Sequence, residues 1–120
     1  MFDTTNMATD TAISTGASVP FEVGQTTVKR TSRACRIWLE NKSLLERAGF
    51  GAEARYSLSL SSGRAVLTLD SQGKGRVSSC RRGDTVRPII DLHNAAIAAS
   101  FAAGTTVQVE YRAGTITITI

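Results

Sequence analysis

Residues 56–69 read YSLSLSSGRAVLTL and residues 107–120 read VQVEYRAGTITITI. In the first stretch Tyr56, Leu58 and Leu60 alternate with Ser57, Ser59 and Ser61, Ser62-Gly63 interrupts, and Ala65, Leu67 and Leu69 resume. In the second, Val107, Val109 and Tyr111 lead to Ala113-Gly114, after which Ile116, Ile118 and Ile120 alternate with Thr115, Thr117 and Thr119. A period of two with one apolar face belongs to a half-buried strand, and a short break containing Gly belongs to a hairpin turn. Both stretches therefore predict β-hairpins that lay one face on a core.

The two hairpins are offset by 107 − 56 = 51 residues, and the match extends outward without a gap. Leu39 meets Ile90, Glu40 meets Asp91, Phe50 meets Phe101 and Gly63 meets Gly114. Each copy reads as an extended segment (26–39 and 76–90), a short helix, then the hairpin. Ser43 with Glu46 is a capping-box pattern, with the helix running to about Ala48 and stopped by Gly49. In the second copy Asp91 is read as the cap of a helix ending near Ala102, with Gly104 beyond it. The expected fold is mainly β with two short helices, an α+β chain. Its two strand-helix-hairpin repeats, 26–70 and 74–120, form one small closed barrel. The Ile-Thr end, a hazard if unpaired, is expected to pair inside that barrel. Residues 1–25 are expected to form a flexible polar arm, because the stretch to Pro20 is rich in Thr, Ala, Ser and Gly and has no period.

The whole chain of 120 residues fits one domain, and 42% hydrophobic residues exclude wholesale disorder. The longest uncharged stretch, Leu92 to Val109, is too polar for a bilayer span, and no secretory leader pattern precedes Lys29. Two cysteines, Cys35 and Cys80, make no disulfide framework, which predicts a reduced, cytoplasmic protein. Charge is uneven. Residues 1–28 carry Asp3, Asp10 and Glu22 with no Lys or Arg, a balance of −3. The rest holds 14 basic and 7 acidic residues, a balance of +7. Lys29, Arg30, Arg33 and Arg36 form one cluster, and Lys74, Arg76, Arg81, Arg82 and Arg87 another. The repeat puts both at similar strand positions. Paired basic strips suit a phosphate backbone or the acidic surface of a nucleoprotein.

Other chemistry is sparse. Trp38, Tyr56 and Tyr111 are read as core, so base stacking is not signalled. His93 has no Cys or His companion at metal-ligand spacing, and Cys35 and Cys80 lack that spacing too. Glu40 and Asp91 are read as helix caps. Gly73-Lys74-Gly75-Arg76 is no phosphate loop, and no nucleophile-base pair can be assembled. We expect no catalytic residue, no metal and no cofactor. The segment 92–102 is an uncharged helix with five alanines, which nominates His93, Asn94 and Ile97, together with the arm, as a protein-contact surface.

The stretch Ile37-Trp38-Leu39, Ser43 to Phe50 and Ala65 to Thr68 resembles the SymE-like group of the AbrB/MazE swapped-hairpin superfamily. The second copy, Gly75-Arg76-Val77, Pro88 to Asp91, Phe101, Gly104 and Val107, is similar to AbrB itself. The resemblance covers about residues 26–120. It implies dimers that swap hairpins and grip DNA with basic loops, so two copies in one chain imply a monomeric pseudo-dimer. Ser78 to Thr85 are an insertion relative to the pattern. The function implied is a non-enzymatic DNA-binding regulator, antitoxin or repressor. The alternatives are a protein-binding inhibitor from a mobile element, such as an anti-CRISPR protein acting on a nucleoprotein complex, and a toxin acting on RNA.

Overall fold

A computed structural model describes residues 19–31 and 34–120. The chain runs β1 (Glu22–Thr27), β2 (Lys29–Arg30), β3 (Cys35–Leu39), α1 (Lys42–Arg47), β4 (Arg55–Ser61), β5 (Arg64–Leu69), β6 (Gly75–Arg76), β7 (Ser78–Arg82), β8 (Thr85–Asn94), α2 (Ala95–Ser100), β9 (Thr106–Arg112) and β10 (Thr115–Thr119). It is mainly β with two short helices. The two sequence-read hairpins are β4–β5 and β9–β10.

The strands form two open sheets around one core. The larger has the order β1-β9-β10-β5-β4-β6, and the smaller β2-β3-β8-β7. Neither closes on itself, so the described residues form no single closed barrel. The Ile-Thr strand β10 lies inside the larger sheet, between β9 and β5, where both its edges are paired. Its Ile116 and Ile118 join Leu67, Val107, Val109, Ile37, Ile90, Phe50 and Phe101 in the core. Burying a large apolar side chain contributes about 1.5–3 kcal/mol, so these ladders supply the main driving force.

The registers repeat the offset found in the sequence. At the middle of the smaller sheet Leu39 pairs with Ile90, and at the middle of the larger Val66 pairs with Thr117; the members of each couple are repeat counterparts of one another. Leu58 pairs with Leu67, and their counterparts Val109 and Ile118 pair in the same way. Lys29 pairs with Arg36, and their counterparts Cys80 and Arg87 pair likewise.

Several sequence expectations are corrected. Residues 22–25 are not part of an arm: they open β1, which pairs along β9 from Glu22–Tyr111 to Thr27–Thr106. Residues 1–18 of the expected arm lie outside the described residues. Asn41, not Ser43, caps α1, its Oδ1 accepting from the Leu44 amide at 3.1 Å. Asp91 caps nothing, because alternation continues through Asp91-Leu92-His93 and keeps β8 extended to Asn94. Asn94 then caps α2 through the Ile97 amide at 2.9 Å. The extended segments expected at 26–39 and 76–90 each break into three strands that turn between sheets.

Candidate nucleic-acid interface

Two hairpins of the smaller sheet carry six basic residues, Lys29, Arg30 and Arg36 on one and Arg81, Arg82 and Arg87 on the other. One is β2–β3; the other is β7–β8, turning through Gly83-Asp84 with Gly83 at φ 61°, a conformation suited to Gly. The second hairpin is built largely from Ser78 to Thr85. Ile37, Leu39, Ile90 and Leu92 are buried, so alternate positions of β3 and β8 face away from the core. Lys29, Arg36 and Trp38 therefore share the outer face on one half, and Arg82, Arg87 and Ile89 on the other. Arg30 and Arg81 sit at opposite parity on the edge strands, both exposed.

Arg36 is the fixed cation of this face. Its Nε lies 3.1 Å from Asp91 Oδ1, and its guanidinium stacks 5.2 Å from the Trp38 ring centroid. The Trp38 indole N–H donates to the Glu40 carboxylate. Such half-exposed pairs add little stability but hold the guanidinium in one orientation. Glu40 and Asp91, expected as caps, thus anchor outer-face side chains instead. Trp38, expected in the core, is half-buried on the outer face, since it is two residues from Arg36 and shares its parity. A cleft of about 390 Å³ runs between Lys29, Arg36, Trp38 and Glu40. Lys29, Arg30, Arg81 and Arg82 make no ion pair among the described residues, so their charges are available to an anion.

The remaining candidates divide. Lys74 and Arg76 belong to the far edge of the larger sheet, where Arg76 is paired to Glu53 at 3.4 Å, so they do not join the hairpin strips. Arg33 lies outside the described residues. His93 is exposed, its Nε2 3.0 Å from Thr31 Oγ1. Asn94 is occupied as a cap, and Ile97 is wholly buried, which removes it from any contact surface. Among the described residues no three His, Cys, Asp or Glu side chains group as a metal site, and no helix is long and apolar enough to cross a membrane.

Two phenols are perturbed. Burial pushes Tyr56 above the usual range, and the negative charge of Asp91 adds to it. Burial does the same to Tyr111, with Glu22 as the added charge. Both keep their protons at neutral pH and act as core residues. The sequence matches no protein-family model, no curated protein and no solved structure.

Proposed function

We propose that this chain is an intrachain pseudo-dimer of AbrB/SymE type that binds duplex nucleic acid, as a non-enzymatic repressor- or antitoxin-like regulator. The observation that carries the reading is the pairing of two basic hairpins about the Leu39–Ile90 centre of the smaller sheet. A two-fold arrangement in one chain reproduces what two chains supply in a dimer. The two sheets around one core then stand for a barrel-like body made of two equivalent halves, and the protein is a monomer. Lys29 and Arg82, which share the outer face, are eight residue steps apart along the strands and three strand spacings apart across them. That is about 30 Å, close to one duplex turn of about 34 Å. Hairpins rich in Arg, with Trp38 already stacked against Arg36, favour phosphate contacts over base stacking.

Fluorescence anisotropy with duplex DNA across a salt series tests this. Each phosphate contact contributes a slope of about −0.9 in log affinity against log salt. Lys29→Ala with Arg30→Ala, and separately Arg81→Ala with Arg82→Ala, are each expected to flatten the slope by roughly 1.8, two contacts' worth. Binding that is weak, salt-insensitive and unchanged in both double variants would overturn the proposal.

A further inference from the structure

Strands β9 and β4 of the larger sheet are covered very differently by the strands outside them. On one side β1 lies along β9 over six consecutive pairs. On the other, β6 meets β4 at two only, Arg55–Arg76 and Tyr56–Gly75, with the Val77 amide reaching the Ala54 carbonyl at 2.8 Å. The Arg55 carbonyl accepts from the Asp70 amide, on the β5 side. Alternation then turns the backbone groups of Tyr56, Leu58 and Leu60 to the outer edge. Gly75 covers Tyr56. Leu58 and Leu60 face no strand among the described residues. Their repeat counterparts, Val109 and Tyr111, face Gly24 and Glu22 of β1.

Connectivity explains the gap. β1 enters from its own N-terminal side and can lie along all of β9. The counterpart of β1 must emerge from β5 through the tight turn at Asp70 to Gly73. It touches the β4 backbone only near Tyr56 before leaving. The open lane beyond is a cleft of about 440 Å³ bordered by Tyr56, Leu58, Lys74, His93 and Asn94. Helix α2 flanks β4, and its Ala95, Ala96, Ala98 and Ala99 are exposed and uncharged.

We propose that the outer edge of β4 is a docking site for an extended strand of a partner protein. The inference goes beyond the nucleic-acid reading and does not rest on it. The occupant is a short segment that pairs with Leu58 and Leu60, as strand addition requires. β1 is its template: its half-buried positions, Gly24 and Thr26, are small residues on the core-facing side. Phe21 at the start of β1 stacks under the Arg47 guanidinium of α1 at 4.1 Å. The repeat counterpart of Arg47 is Ala98, so the docked strand lays an apolar residue on the alanine face instead. Exposed Lys74 selects a carboxylate beside it. A second copy of this chain is disfavoured, because antiparallel β4 edges would bring Lys74 of one copy toward exposed Arg64 of the other.

The probe is a capped peptide of residues 21–28, FEVGQTTV, added to the isotope-labelled full chain. Amide exchange at Leu58 and Leu60 is expected to slow at least tenfold, with Val107 and Val109 unchanged. N-methylation at the peptide's Gly24 amide, which points at the sheet, is expected to weaken binding at least tenfold. N-methylation at its Gln25 amide, which points away, leaves it intact. A Gln25→Glu peptide binds more tightly, and Lys74→Glu in the protein cancels that gain. The proposal is overturned by unchanged exchange at millimolar peptide, by equal loss with both methylated peptides, or by response confined to β9. It is overturned equally if Leu58 and Leu60 are already protected in a dimer of the free protein.

Discussion

The half of the molecule around β4–β5 and the half around β9–β10 share their hairpin registers residue for residue, yet differ in their helices and flanking strands. α1 has an Asn41 cap, a Lys42–Glu46 ion pair and Arg47 in its last turn. α2 has an Asn94 cap and no charge at all. The repeat counterpart of Asn41 is Leu92, which is still inside β8, so the second cap comes only where that strand ends. The difference teaches which features the core fixes and which the connections fix. Side chains that alternate into the core hold one register in both halves. The segments that lead into them follow whatever route the preceding strand allows.

The largest effect expected tests the equivalence itself. Phe50 and Phe101 follow the two helices and are both fully buried. Phe50→Ala and Phe101→Ala are each expected to cost about 3–5 kcal/mol in chemical denaturation, the range for large buried aromatics. Costs that agree between the two sites sharpen the comparison. A loss below about 1 kcal/mol at one site alone, far under that range, breaks it.

A smaller effect should separate the halves. Gly24 and Gly75 are repeat counterparts, one in each strand that covers a hairpin. A Cβ on Gly24 meets nothing within 4 Å, whereas on Gly75 it would lie 2.4 Å from the Tyr56 ring. At the neighbouring Gly73 it would lie 2.2 Å from the Tyr56 carbonyl oxygen, a backbone atom that cannot swing aside. Gly73→Ala and Gly75→Ala are expected to destabilise by about 1–3 kcal/mol, as overpacking does. Gly24→Ala should stay within about 0.5 kcal/mol, as open surface positions do. Thermal unfolding of the three variants checks the contrast.

This contrast also marks what is legible in the sequence. Both hairpins are, since each carries its pattern over a dozen residues and its turn contains Gly. The mainly β class and the burial of Tyr56 and Tyr111 follow from them. β1 is not, because Glu-Val-Gly-Gln-Thr-Thr has no apolar ladder: it is held by backbone pairing to β9, which its side chains do not advertise. The caps mislead because Ser43 and Asp91 are good capping types, and only the register of β8 reveals that Asp91 is still in a strand. The size of Trp38 suggests the core, whereas its parity with Arg36 is the signal that places it outside. The basic strips are visible as residues, but their division between two sheets depends on turns at 70–74 and 83–84 that composition alone does not orient.

The smallest effect is confined to alkaline pH and again compares the halves. Tyr56 and Tyr111 both titrate above the ordinary phenol value of 10.0, burial being the larger cause and one carboxylate the smaller. A raised folded-state value means the unfolded chain gives up these protons first. Stability from them is full below pH of about 10 and is lost as pH climbs through the folded values. Ultraviolet titration of the folded protein should find both phenols ionising late, and denaturation midpoints should fall over the same interval. Asp91→Asn is expected to lower the Tyr56 value alone, and Glu22→Gln the Tyr111 value alone. Because burial dominates, each should remain above the ordinary phenol range after its carboxylate is removed. A phenol that returns to the ordinary value on loss of one charge would mean its ring is solvated, and that its hairpin does not seat on the core as the other does.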